Sequence, residues 1–206
     1  MPTMYEKAWI APVPKPGKKT EVKNKRPVSL TAVTCKVLER MIADAVLANA
    51  EVQSLITPNQ FAYRKGRNTV DCLLKFFTDI AHLTNERTPV DVVYFDIKSA
   101  FETMQHDTII ATLHSKGIGG CVLRWISDFL KKSTFRVKVG RSFSAQESVL
   151  TGCPQGTVLG SLPFVLFIDG VGEIVSKDVR YVIFADDVKF CVSIPSELDS
   201  EKLQST

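Results

Sequence analysis

Residues 181–188 read YVIFADDV, with Asp186 and Asp187 side by side between two apolar runs. The flanks Phe184, Ala185, Val188 and Phe190 read as buried, so the stretch is a strand, a turn and a second strand. Two like charges roughly 4 Å apart repel by about 4 kcal/mol at an effective dielectric of about 20. A plain hairpin turn is the bland reading of the pair. Two-residue turns favour glycine, however, because positive φ is cheap only there, and Asp-Asp offers none. The sharper reading is a partner that offsets the repulsion. Asp96 closes a second apolar run, VDVVYFDI at 90–97. Carboxylates gathered from two such strands suit Mg²⁺, which prefers hard oxygen ligands and commonly takes one or two carboxylates plus substrate phosphates. The ion's charge would cancel the repulsion.

Outward from this hairpin, the chain is mixed. AWIAPVP and RPVSL flank a Pro/Gly/Lys loop and read as two short strands of a basic hairpin. From Val33, the residues Val37, Leu38, Met41, Ile42, Ala45 and Val46 recur at helical spacing, with Ser29 or Thr31 as candidate caps. A second helix is expected from about Thr69 to Leu83, with Val70, Leu73, Leu74, Phe77 and Ile80 on one face. Two more follow, from near Asp107 to Lys116 with Gly117 as the stop, and from Cys121 to Lys132. TFRVKVG alternates cleanly, and Gly140 and Arg141 turn it back through SFSAQESVL as an antiparallel partner. LTGCPQGTVLGSLPFVLFIDGV is a glycine-punctuated loop entering an apolar helix, where Pro163 is tolerated only in the first turn. SELDSEKLQST begins what reads as a further helix. Helices and strands do not alternate one-to-one, so the expected class is α+β, an antiparallel sheet covered by helices.

Composition sets the outer bounds. The 206 residues are 45% hydrophobic, which suits one large globular domain or two small ones. No apolar run is long enough for a bilayer, and the N-terminus lacks a signal-peptide pattern, so the protein is read as intracellular and without a membrane partner. The five cysteines are scattered and never spaced C-x-x-C, which suits a reducing compartment and buried thiols. Net charge is only +4, but basic residues crowd between Lys7 and Arg26 and again in RKGR at 64–67. Such clusters can neutralise phosphates; standing alone, they would read as a solvated face.

FDIKSAFETMQHD, TGCPQGTVLGSLPF and FADDVKF, in that order, resemble the successive palm motifs of reverse transcriptases, most closely those of non-LTR (LINE-type) retrotransposons. VPKPGKK…KRPVSLTAVTCKVLERMI and QFAYRKGRNTVDCLL resemble the fingers motifs of the same family. The resemblance runs from about Trp9 to Val192. It implies a right-hand polymerase palm with partial fingers and no thumb. Residues 1–206 would be a single incomplete reverse transcriptase domain, a fragment of an element, with about 1–90 mainly fingers and about 91–206 mainly palm. It also implies an RNA-directed DNA polymerase that acts in the nucleus on an RNA template, a DNA primer and dNTPs.

The resemblance carries roles residue by residue. Asp96, Asp186 and Asp187 match the polymerase aspartates that hold two Mg²⁺ ions, with Mn²⁺ as a substitute, and Ile97 matches the position whose backbone carbonyl joins them. Lys15 and Arg26 match the contacts to the incoming triphosphate. Phe101 matches the bulky residue that crowds the sugar 2′ position, and Ala100 lets the sugar approach. Gln155 and Gly156 match the loop along the nascent base pair. Arg64, Lys65 and Arg67 are expected on the template backbone, and His106 is read as structural, near a helix start. The competing readings are a non-catalytic nucleic-acid-binding remnant and an intron-type reverse transcriptase with maturase function.

Overall fold

A computed structural model describes residues 5–16, 21–85, 88–97, 100–154 and 156–194. In chain order, the elements begin with β1 (Lys7–Pro14), β2 (Lys25–Leu30), α1 (Val33–Val52), α2 (Thr69–Thr84), β3 (Val90–Asp96), α3 (Ala100–Thr103) and α4 (His106–Ser115). They continue with α5 (Gly120–Lys132), β4 (Thr134–Val139), β5 (Ser142–Phe143), β6 (Glu147–Ser148), α6 (Ser161–Ile168), α7 (Val171–Ile174), β7 (Arg180–Phe184) and β8 (Asp187–Ser193). The chain divides into two compact units, Met1–Ala50 with Ser99–Phe164, and Glu51–Lys98 with Val165–Thr206. The helix expected in SELDSEKLQST lies outside the described residues.

In the first unit, β1 and β2 form the expected antiparallel hairpin, from Trp9↔Leu30 to Pro14↔Lys25. β1 also pairs with β4, but in parallel, from Lys7↔Thr134 to Ile10↔Val137. This sheet is therefore mixed, in the order β2-β1-β4-β5, with β6 on β4. Beyond Ile10, β1 has left β4, so Pro12 and Pro14 cost no ladder donor on that side. Gly117, at φ +80, ends α4 as expected, with Ile118 N–H donating to the Leu113 carbonyl in a Schellman-like closure. Pro163 is the third residue of α6 and so falls in its first turn. Neither proposed cap serves α1: Ser29 is inside β2, and the Thr31 hydroxyl is buried without a hydrogen-bond partner. The fully buried stripe of α1 shares only Val46 with the one expected. Cys35, Glu39, Ala43, Val46 and Ala50 are inside, while Val33, Val37 and Met41 are exposed.

In the second unit, the antiparallel sheet β3-β8-β7 carries α2 on one face. Cys72, Phe76 and Leu83 of α2 pack with Phe61, Val182 and Cys191. Asn68 and Asp71 close a capping box at the start of α2, which supplies its orphan N–H groups. Buried Asp79 accepts from Lys75 at 2.6 Å and from Arg180 at 3.2 Å, tying the helix to β7. Of the expected stripe, Val70, Leu73, Leu74 and Phe77 are exposed, and Ile80 packs against the core. α2 is apolar on more than one side, and the sheet takes the Cys72–Phe76–Leu83 side. Residues 59–61 run beside β7: Phe61 N–H donates to Ile183 O at 2.9 Å and Ile183 N–H to Asn59 O at 2.8 Å. That pairing leads the chain from 59 onward toward the hairpin of the two aspartates.

Candidate active site

The second unit assembles the aspartates. β3 and β8 pair antiparallel with Asp96 directly opposite Asp187. Phe184↔Asp187 is the last pair of the β7–β8 hairpin, which leaves Ala185 and Asp186 as its turn. The positive φ that a glycine would usually supply falls on Ala185, at +56°. Ile97 N–H reaches the Asp186 carbonyl at 3.5 Å, a long contact that closes the end of β3 on the turn. Asp96 and Asp187 are exposed and Asp186 is half-buried.

Residues directly paired across strands share a sheet face, so Asp187 lies on the face of Asp96, while Asp186 belongs to the turn and not to a strand. Among the described residues, no group of three or more His, Cys, Asp or Glu is close enough to hold a metal. The expected cluster of Asp96, Asp186 and Asp187 is thus a facing pair with the third carboxylate in the adjoining turn. Like charges directly opposite each other destabilise a ladder. The pair is fit for a hard cation, which needs only one or two carboxylates when substrate phosphates complete its shell.

Tyr63, which sequence reasoning passed over, feels the charge of the Asp186 carboxylate in the turn. It is held at φ +57 and half-exposed, and its hydroxyl is pushed above its ordinary pKa, first by burial and then by the Asp186 carboxylate. Strained non-glycine conformations of this kind gather at functional sites. The neighbouring cations divide. Arg64 is only 6% exposed; it forks onto Glu51 and donates to the Thr57 and Gln60 carbonyls. Its guanidinium is engaged by the chain's own carboxylate and carbonyl groups. Arg67 donates to the Pro58 carbonyl at 3.1 Å and lies over the Phe61 ring. Lys65 is exposed.

The first unit assembles the other group of expected residues. Arg26 pairs with Val13, and Lys15 N–H donates to Asn24 O at 2.7 Å, so strand alternation sets Lys15 and Arg26 on one face of the hairpin. Gly156, at φ +87, lies against β2: a Cβ there would sit 3.0 Å from Val28 Cγ1 and 3.1 Å from Ser29 O. Val28 shares the face of Arg26, so the glycine packs beside the hairpin's basic side. Phe101 stacks on Phe164 with centroids 4.3 Å apart. Gln155 and the Ala100 side chain lie outside the described residues.

The loop that carries Gly156 is pinned at both ends. Gly152 N–H donates to Met104 O and Cys153 N–H to Phe101 O, each at 2.7 Å. A side chain at Gly152, φ +80, would collide with the Phe101 carbonyl. His106 Nε2 lies 3.0 Å from Gly152 O, which agrees with its structural reading. Beyond Gly156, Leu159 N–H donates to Glu39 Oε2 at 3.0 Å, and Cys35 Sγ–H donates to Glu39 Oε1 at 3.2 Å. Glu39 is 0% exposed. Sequence reasoning missed it; the available signal was an acid set one helical turn after Cys35 and one before Ala43.

Comparison with known proteins follows the same outline. Residues 13–204 match the family described as Reverse transcriptase (RNA-dependent DNA polymerase). The chain is 28% identical over 167 residues to the probable RNA-directed DNA polymerase from transposon BS of Drosophila melanogaster, covering 81% of this chain and 18% of that protein. It is 28% identical to the corresponding polymerase from transposon X-element of the same species, covering 97% of this chain and 22% of that protein. The chain therefore spans about a fifth of the length of these curated relatives. Among solved structures, apo telomerase of Candida tropicalis lacking its C-terminal domain matches with a TM-score of 0.71 and 11% identity, covering 97% of this chain and 46% of that one. That likeness establishes the fold, an α+β polymerase palm with its sheet backed by helices. With the family matched over nearly its whole length and its relatives drawn from non-LTR retrotransposons, this chain belongs to the reverse transcriptase (RNA-dependent DNA polymerase) family.

Proposed function

We propose that this chain is the nucleotidyl-transfer module of a retrotransposon RNA-directed DNA polymerase, adding dNTPs to the 3′-hydroxyl of a DNA primer on an RNA template. The observation that carries the reading is Asp96 facing Asp187 across β3–β8, with Asp186 in the adjoining turn, in a chain matched by the family over residues 13–204. Asp96, Asp186 and Asp187, with the Ile97 carbonyl, would hold two divalent ions, Mg²⁺ or Mn²⁺ in its place. When bound, such ions supply Lewis-acid charge to the attacking hydroxyl and the departing pyrophosphate.

The remaining roles belong to the chain's own groups. Arg26 offers a fork and Lys15 a mobile point charge for triphosphate oxygens. The Phe101 ring, fixed by its stack on Phe164, crowds the sugar 2′ position and favours deoxynucleotides, and Ala100 leaves room for the sugar. Gln155 and Gly156 lie along the nascent base pair, where a missing side chain permits close approach. Lys65 and Arg67 contact the template backbone, and Arg64 holds their segment in shape. Among the described residues, no helix is long and apolar enough to cross a membrane; action in the nucleus follows from the retrotransposon reading.

The test is primer extension on an RNA template by the chain and its Asp186→Asn variant, with RNA affinity measured in parallel. The proposal expects metal-dependent extension that the substitution abolishes while RNA affinity persists. Equal extension by both forms would remove Asp186 from the site. RNA binding without extension by either form would favour a non-catalytic binding remnant.

A further inference from the structure

The β3-β8-β7 sheet has two unlike faces. Side chains alternate along a strand, and residues paired across strands share a face. The registers Asp96↔Asp187, Tyr94↔Lys189, Val92↔Cys191, Val182↔Lys189 and Phe184↔Asp187 therefore sort the strand residues. One face carries Val92, Val182, Phe184 and Cys191, which pack with Cys72 and Phe76 of α2. Asp96, Asp187, Lys189 and Arg180 lie on that same face. Arg180 donates to Asp79 of α2 at 3.2 Å, and Lys75 donates to the same carboxylate at 2.6 Å. Arg180 is also paired with Cys191, a rung further from the aspartates than Lys189. Among the described residues of these strands, Lys189 is the cation nearest the facing pair in register.

Lys189 stands one rung away from the carboxylates. It is two residues from Asp187 along β8 and diagonal to Asp96, about 7 Å from each by strand geometry. Its side chain is half-buried, and its Nζ lies 5.3 Å from the Phe76 ring and 5.5 Å from the Tyr94 ring. Rings attract a cation without cancelling its charge, so the field of this ammonium reaches the next rung. The Cys72 thiol registers both charges: burial pushes it up, Lys189 draws it down and Asp187 raises it. Like charges facing each other weaken a ladder, and here a fixed ammonium on the same face offsets them. A divalent ion at those carboxylates would meet the ammonium as a like charge.

We propose that Lys189 is the resident counter-ion of the facing aspartates, a positioning residue that steadies Asp96 and Asp187 without metal and opposes a divalent ion when one binds. The inference rests on the metal reading of that pair, but its binding measurements need neither primer nor nucleotide. The test compares the whole chain with Lys189→Met, which keeps an aliphatic stem, and Lys189→Arg, which keeps the charge. Mn²⁺ binding is titrated by water-proton relaxation, and urea midpoints are measured in chelator and in excess Mg²⁺. The midpoints also confirm that each variant is folded.

Lys189→Met is expected to bind Mn²⁺ about tenfold more tightly than the parent. Its urea midpoint should fall in chelator, by a gap that narrows in excess Mg²⁺. Lys189→Arg should bind Mn²⁺ within about twofold of the parent. So should Lys177→Met, an equal loss of charge beyond the end of β7 that lies away from Asp187. A midpoint gap that is the same with and without Mg²⁺ would reduce Lys189 to packing and overturn the proposal. Unchanged Mn²⁺ affinity in folded Lys189→Met, equal tightening by Lys189→Arg, or no binding by any form would overturn it as well. Tighter binding by Lys189→Met in a chain that extends no primer would uphold the counter-ion and overturn only the polymerase reading. Extension that depends on Asp186, with Mn²⁺ affinity unmoved by Lys189→Met, would overturn the counter-ion and leave the polymerase reading standing.

Discussion

At the β7–β8 turn, the strain sits on Ala185, at φ +56, beside the aspartates and not on them. A left-handed conformation costs a residue with a Cβ roughly 1–2 kcal/mol, part of which glycine returns as entropy of the unfolded chain. Ala185→Gly should therefore stabilise the protein by up to about 1 kcal/mol, read as a higher urea midpoint; a lower midpoint would show that the turn is relaxed. The two aspartates were plain in the sequence. Which of them faces Asp96 was not, because a strand's register is set by its partner and shifts every side chain when it slips by one. The cysteines were read correctly as scattered free thiols, with Cys121 the exposed exception. Burial pushes the Cys153 thiol up to about 12 and Cys191 to about 11, and burial with the Glu39 hydrogen bond pushes Cys35 to about 12. Thiolate is the reactive form, so at pH 8 the native chain should react with a disulfide reagent at Cys121 alone, and the other four only on unfolding. Fast labelling at Cys35 would contradict the packing of α1.

Among the elements, periodicity located helices α1 and α2 but set the buried face of each off-centre, with Val46 and Ile80 of the expected stripes packed inward. Large apolar residues such as Val37, Met41 and Phe77 mark the more conspicuous stripe, yet packing took the side with Cys35 and Ala43, or with Cys72 and Phe76. An acid at Glu39 argued for solvent on the side that is in fact buried, and its hydrogen bond to Leu159 connects residues far apart in the chain. Glu39→Leu leaves that buried N–H without an acceptor, at a cost of roughly 1–3 kcal/mol. It should also raise the dNTP KM by loosening the loop of Gly156, whereas Glu39→Gln keeps an acceptor and should restore both. A dNTP KM unchanged in a folded Glu39→Leu chain would deny the loop its role. The Arg64–Glu51 pair gives a pH signature. The hydrogen bond from Arg64 holds the Glu51 carboxyl below its ordinary value of 4.5. A lowered carboxylate stabilises the fold fully above the unfolded value and loses that contribution as pH falls through the folded one. The stability gap between the parent and Arg64→Met should therefore narrow as pH drops below 4.5; a gap independent of pH would show that Glu51 contributes nothing to the pair.

Across the whole molecule, the order of the motifs was enough to indicate the fold, because each falls where a strand meets a turn or a loop meets a helix. The parallel pairing of β1 with β4 was beyond reach, since it joins Lys7 to Thr134 with no local signal in either strand. Within each unit the expected residues do come together: Asp96 with Asp187 in one, and the Arg26 face with Gly156 in the other. The central claim is that these groups serve templated, metal-dependent nucleotide addition. The most direct measurement is incorporation of a single dNTP opposite a defined RNA template base, with Mg²⁺ and with chelator, by the chain and by Asp96→Asn. Incorporation of the complementary nucleotide alone, abolished by chelator and reduced at least a thousandfold (about 4 kcal/mol in barrier) by Asp96→Asn, is the predicted result. Incorporation that ignores the template base, survives the chelator or persists in Asp96→Asn would contradict it.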